Sequence, residues 1–63
     1  MDYDKKSREF MELYSNLPIK TRGEIVVVVR GEPLTWNVAK KEIENNTQLA
    51  KEIVKKLIEL KIL

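Results

Sequence analysis

The residues predict an α+β fold in the order helix, strand, helix, helix, built as an intertwined homodimer around a two-stranded antiparallel ribbon covered by helices. Three observations lead there. The first is Glu24-Ile25-Val26-Val27-Val28-Val29-Arg30, a β-branched run lying between Gly23 and Gly31. It is the only convincing strand, and a strand cannot satisfy its own N–H and C=O groups. The second is the amphipathic spacing of the segments on either side of it. The third is size: at 63 residues the chain forms a single small domain, residues 1–63. Such a chain buries only about 60% of its unfolded surface. With no Cys and no His, disulfides and the usual zinc sites are excluded, which leaves self-association as the stabilising device. The expected partner of the valine strand is therefore the same strand of a second copy.

The first helix is expected from about Asp4 to Asn16. Phe10, Leu13, Tyr14 and Leu17 recur at i, i+3, i+4 and i+7, one apolar stripe. Asp2 or Asp4 serves as N-cap, and Asp4/Arg8, Lys5/Glu9 and Arg8/Glu12 are i,i+4 pairs on the outer face. Pro18 ends the helix by pushing Leu17 out of the α region. A connector, Ile19 to Gly23, leads into the strand. There Ile25, Val27 and Val29 face one way and Val26 and Val28 the other, so both faces are apolar and call for cover.

Gly31-Glu32-Pro33 breaks the strand. Thr35 caps a second helix of about Trp36 to Glu44, with Trp36, Ala39 and Ile43 turned inward. Trp36 reads as a core anchor, or else as a binding-surface aromatic. An alternative keeps Leu34-Thr35-Trp36-Asn37-Val38 as a strand paired with the valine run through Arg30-Gly31-Glu32-Pro33. Asn45-Asn46-Thr47 is a tight connector, since Asn tolerates the left-handed conformation at a helix end and Thr47 caps the third helix. That helix runs from about Gln48 to Leu60. Its apolar face, Leu49, Ala50, Ile53, Val54, Leu57, Ile58 and Leu60, is wide enough to meet both its own subunit and a partner. Ile25, Val27, Val29, Leu49, Ile53, Leu57 and Leu60 are accordingly expected to form the dimer seam.

The chemistry available is narrow. Without His there is no imidazole base, and without Cys no thiolate nucleophile. The two glycines match neither a phosphate loop nor a dinucleotide fingerprint. The carboxylate pairs Glu9/Glu12 and Glu42/Glu44 read as solvated surface. No enzyme, cofactor or metal is expected. The charge balance, 12 Lys+Arg against 10 Asp+Glu for a net +2, is too slight to announce nucleic acid or an anionic membrane by itself. No apolar leader and no span of transmembrane length stands out, so a soluble cytoplasmic protein with no membrane partner is expected.

Two resemblances add to this. The Lys/Glu/Ile/Val bias, with no Cys and only 2 Gly and 2 Pro, resembles small proteins of hyperthermophilic archaea such as Pyrococcus. The segment Glu24 to Leu60, strand then helix then helix, resembles the ribbon-helix-helix repressors, whose paired strands enter the major groove of DNA. That likeness implies phosphate contacts from Thr47, Gln48 and Lys51 at a helix start. The chain departs from the family pattern in the ribbon itself, where valines stand in place of the polar side chains that read bases. Trp36–Glu44 and Gln48–Leu60 also resemble a helix-turn-helix pair, although Glu42 falls where an apolar residue belongs. The primary expectation is a homodimeric interaction module whose partner is unspecified. The alternative is a nucleic-acid-binding regulator contacting its target through Lys40, Lys41, Gln48, Lys51 and Lys55.

Overall fold

The computed structural model describes residues 2–63 and is α+β, but it contains one strand more than the residues suggested. Helix α1 spans Tyr3–Ser15 and is followed by a 3₁₀ turn at Thr21–Gly23. Strand β1 is Ile25–Val29, β2 is Glu32–Thr35, α2 is Trp36–Glu44 and α3 is Gln48–Glu59. The order is therefore helix, strand, strand, helix, helix. β1 finds its partner inside its own chain, antiparallel to β2.

The hairpin explains why that partner was hidden. Val29 pairs with Glu32, leaving Arg30 and Gly31 as a two-residue loop with φ of 54° and 76°. Positive φ at both loop positions is the turn whose twist suits a hairpin, and its usual signature is Asn-Gly or Asp-Gly. Arg in the first position conceals it. β2 is also short and contains a proline. Pro33 sits opposite Val28, one step from the hydrogen-bonded Val29/Glu32 pair, so it occupies a position that makes no ladder bond and loses nothing by lacking an N–H. The alternative strand over 34–38 is thus correct only for Leu34 and Thr35; from Trp36 onward the backbone is helical.

The valine run is not a regular strand either. The register shifts between Ile25, opposite Thr35, and Val27, opposite Leu34. This bulge at Val26 reverses the alternation. Val27 and Val29 are buried, Val26 is half-buried, and Ile25 turns outward with Val28. Ile25 therefore does not share the face of Val27 and Val29 as strict alternation implied.

Caps set each helix. The Asp2 carboxylate accepts from Lys5 N–H, Thr35 Oγ1 from Val38 N–H, and Thr47 Oγ1 from Ala50 N–H. α2 and α3 both close with the double hydrogen bond of a Schellman motif. In α2, Asn46 N–H reaches Ile43 O and Thr47 N–H reaches Glu42 O; in α3, Lys61 N–H reaches Ile58 O and Ile62 N–H reaches Leu57 O. Asn46 and Lys61 supply the left-handed residue, with φ of 51° and 61°. Glu42, out of place in a helix-turn-helix, has a local job: its carboxylate accepts from the Thr47 hydroxyl and ties the α2–α3 turn.

The core is wholly apolar among the described residues: Phe10, Val27, Val29, Leu34, Ala39, Ile43, Ala50, Ile53, Val54 and Leu57. α3 packs on β1 and on α2, while α2 packs on β2. α1 rests on α2 and α3, placing Phe10 beside Trp36 with ring centroids 5.6 Å apart. Its inward residues are Tyr3, Phe10, Met11 and Tyr14. Leu13, expected in the stripe, is 40% exposed.

Two substitutions test this backbone reading by urea unfolding. Gly31→Ala is expected to cost about 1 kcal/mol, because its Cβ meets open space and only the positive φ is penalised. Lys61→Gly is expected to gain up to about 1 kcal/mol by relieving the same penalty at the end of α3. A neutral Gly31→Ala would mean the loop does not hold its left-handed pair.

Candidate interaction surface

The helices pack on one side of the hairpin and leave the other bare. Ile25 and Val28, both β-branched, are 58% and 50% exposed, and no helix among the described residues packs over their outer side. Along the edge of β1 away from β2 lies a depression of about 290 Å³, walled by Val28, Val29 and Arg30 on one side and by Glu52, Lys55, Lys56 and Glu59 of α3 on the other. Arg30 crosses one end of it. Its left-handed backbone sends the guanidinium onto Glu52, where Nε donates to Oε1 at 3.0 Å and a second N–H meets Oε2. This bidentate pair clips the hairpin loop to α3 and takes Glu52 away from Lys56, its i,i+4 neighbour.

The residues expected at a dimer seam divide. Val27, Val29, Ile53 and Leu57 are enclosed by the chain's own core, and Leu49 is half-buried. Ile25 and Leu60 (52% exposed) remain on the surface.

The residues expected to touch nucleic acid divide as well. Gln48, Lys51 and Lys55 are all exposed and, at i, i+3 and i+7, share one stripe of α3. Lys41 is exposed on α2. Lys40 is committed elsewhere: it is half-buried, pairs with Glu44 at 3.1 Å and lies 5.4 Å from the Tyr14 ring centre. Thr47 is occupied in capping.

Sequence reasoning missed the corner around Tyr14. Arg22 stacks on its ring at 4.6 Å from the centre, its hydroxyl bonds Asn37, and Arg22 also donates to Ser15 O at 3.3 Å. No local spacing links residues so far apart in the chain. The corner fastens α1, the 3₁₀ turn and α2 together. A second depression, about 320 Å³, lies between α1 and the C-terminal residues Ile62 and Leu63. Among the described residues no group of three metal-ligating side chains gathers, and no helix is long and apolar enough to cross a membrane.

The Arg30–Glu52 pair is 70% exposed on the arginine side, so it is worth little despite good geometry. Glu52→Gln is expected to lower stability by about 0.5 kcal/mol at low salt, with the difference shrinking as NaCl rises. An undiminished loss at high salt would assign Glu52 a packing role instead. In comparisons with protein-family models, curated proteins and solved structures, the chain matches none.

Proposed function

We propose that this protein is a non-enzymatic, cytoplasmic binding module that acts as a homodimer. The observation that carries the reading is the bare apolar outer face of the hairpin, Ile25 and Val28. The helices cover one face of this two-stranded sheet, and an exposed β-branched face on the other gains by being covered. The small size and the lack of Cys and His favour association as the source of further stability. Light scattering behind size exclusion, run across a dilution series, is expected to give a mass near twice the 7.4 kDa chain. A monomer at every concentration would overturn the reading.

A second reading, a nucleic-acid-binding regulator, draws on the exposed stripe Gln48, Lys51 and Lys55 with Lys41 nearby in sequence on α2. If each of the three lysines neutralises one phosphate, the logarithm of affinity for duplex DNA falls with the logarithm of salt at a slope of about −2.7. Lys51→Glu would then flatten the slope and weaken binding to all sequences alike. Absent binding at low salt would remove this reading and leave the first intact.

A further inference from the structure

We propose that the outer edge of β1 is the surface through which two copies of this chain join, forming a continuous four-stranded antiparallel sheet, β2-β1 of one copy against β1-β2 of the other, with Val28 at the two-fold axis. The inference rests on the homodimeric reading above and names its interface.

The hairpin register is the decisive observation. Antiparallel pairs alternate between those that exchange hydrogen bonds across the ladder and those that do not. The two-residue loop makes Val29/Glu32 a bonded pair, so Val28/Pro33 is an unbonded one. The N–H and C=O of Val28 therefore point away from β2, toward the depression beside α3. At β2 the outer edge is blunted, because the same register turns the ring nitrogen of Pro33 outward and a proline offers no donor. β1 has no such protection. Val26 to Val29 carry no charge and no proline, which makes this edge the open template for another strand.

The occupant that fits is a second β1. Symmetric pairing about Val28 sets its N–H and C=O against those of Val28 in the other copy, and sets Val27 opposite Val29. The bulge at Val26 limits the regular stretch to a few residues, so a short, symmetric contact is favoured over a long strand. On the outer face the two Val28 side chains meet each other and gain the cover that each lacks alone. The depression beside the edge carries both signs, Lys55 and Lys56 with Glu59 and the Arg30-paired Glu52, so two copies related by a two-fold can set unlike charges against each other.

The experiment places charge at the axis. Val28 is half exposed, so Val28→Lys and Val28→Glu leave the core untouched, and circular dichroism checks that the helices persist. Each variant alone is expected to be monomeric at concentrations where the parent is dimeric, because like charges meet at the two-fold. An equimolar mixture of the two is expected to return to dimer. A parent that is dimeric, with both variants equally dimeric, would overturn the edge assignment while sparing the homodimer. A monomeric parent would overturn both.

A second measurement reads the axis directly. The chain has no cysteine, so Val28→Cys introduces one thiol per copy. Facing residues of a bonded antiparallel pair lie about 5.5 Å apart at Cα, within disulfide range. Mild oxidation should link Val28→Cys into a covalent dimer far faster than Ile19→Cys, whose parent side chain is 82% exposed. Equal rates would reject the symmetric edge.

Discussion

The need to pair the backbone of one apolar strand governs the whole chain. The valine run cannot leave its N–H and C=O groups idle, and the left-handed pair Arg30-Gly31 turns the chain back to meet one side of that need. The same turn fixes the rest. It brings Leu34 beside Val27, so that three apolar side chains of the hairpin face the helices. It delivers Thr35 to the start of α2 as a cap, without a connecting loop. And it aims Arg30 at Glu52, clipping the tip of the hairpin to α3.

The helices are held by small residues and well-formed ends. Ala39 and Ala50 are fully buried, which lets α2 and α3 approach closely, and the Schellman closures leave few helix carbonyls idle at the ends. Phe10 supplies the bulk that joins α1 to this pair, stacking on Trp36 and Tyr14. No polar or charged residue is buried among those described, so the core side chains are held by apolar burial and close packing.

Much of the fold was legible wherever the signal was local. Trp36–Glu44 and its Thr35 cap, the Asn46 turn and the start of α3 at Gln48 all derive from short-range chemistry, and so does the inward set Ala39, Ile43, Ala50, Ile53, Val54 and Leu57. The second strand was not legible. It is short, its first two residues, Glu32 and Pro33, are both exposed, and it is entered through a turn lacking its usual asparagine. The bulge at Val26 was invisible because four consecutive valines look alike in any register. At the candidate site, Lys51 and Lys55 were legible as outward residues of α3 from the spacing of its apolar face. Lys40 was not, since its attachment to Tyr14 depends on how α1 docks on α2. The bare face of Ile25 and Val28 and the edge depression exist only because β2 occupies the other side.

The in-chain hairpin and the proposed dimer are complementary rather than competing. Pairing with β2 satisfies one edge of β1 and leaves its other edge open for a second copy. Amide hydrogen exchange of Val28, followed by NMR at high and low protein concentration, tests this most directly. Val27 and Val29 donate within the hairpin and should stay protected throughout. The Val28 amide is expected to be protected at high concentration and to lose that protection on dilution. A Val28 amide that exchanges freely at every concentration would contradict the shared edge.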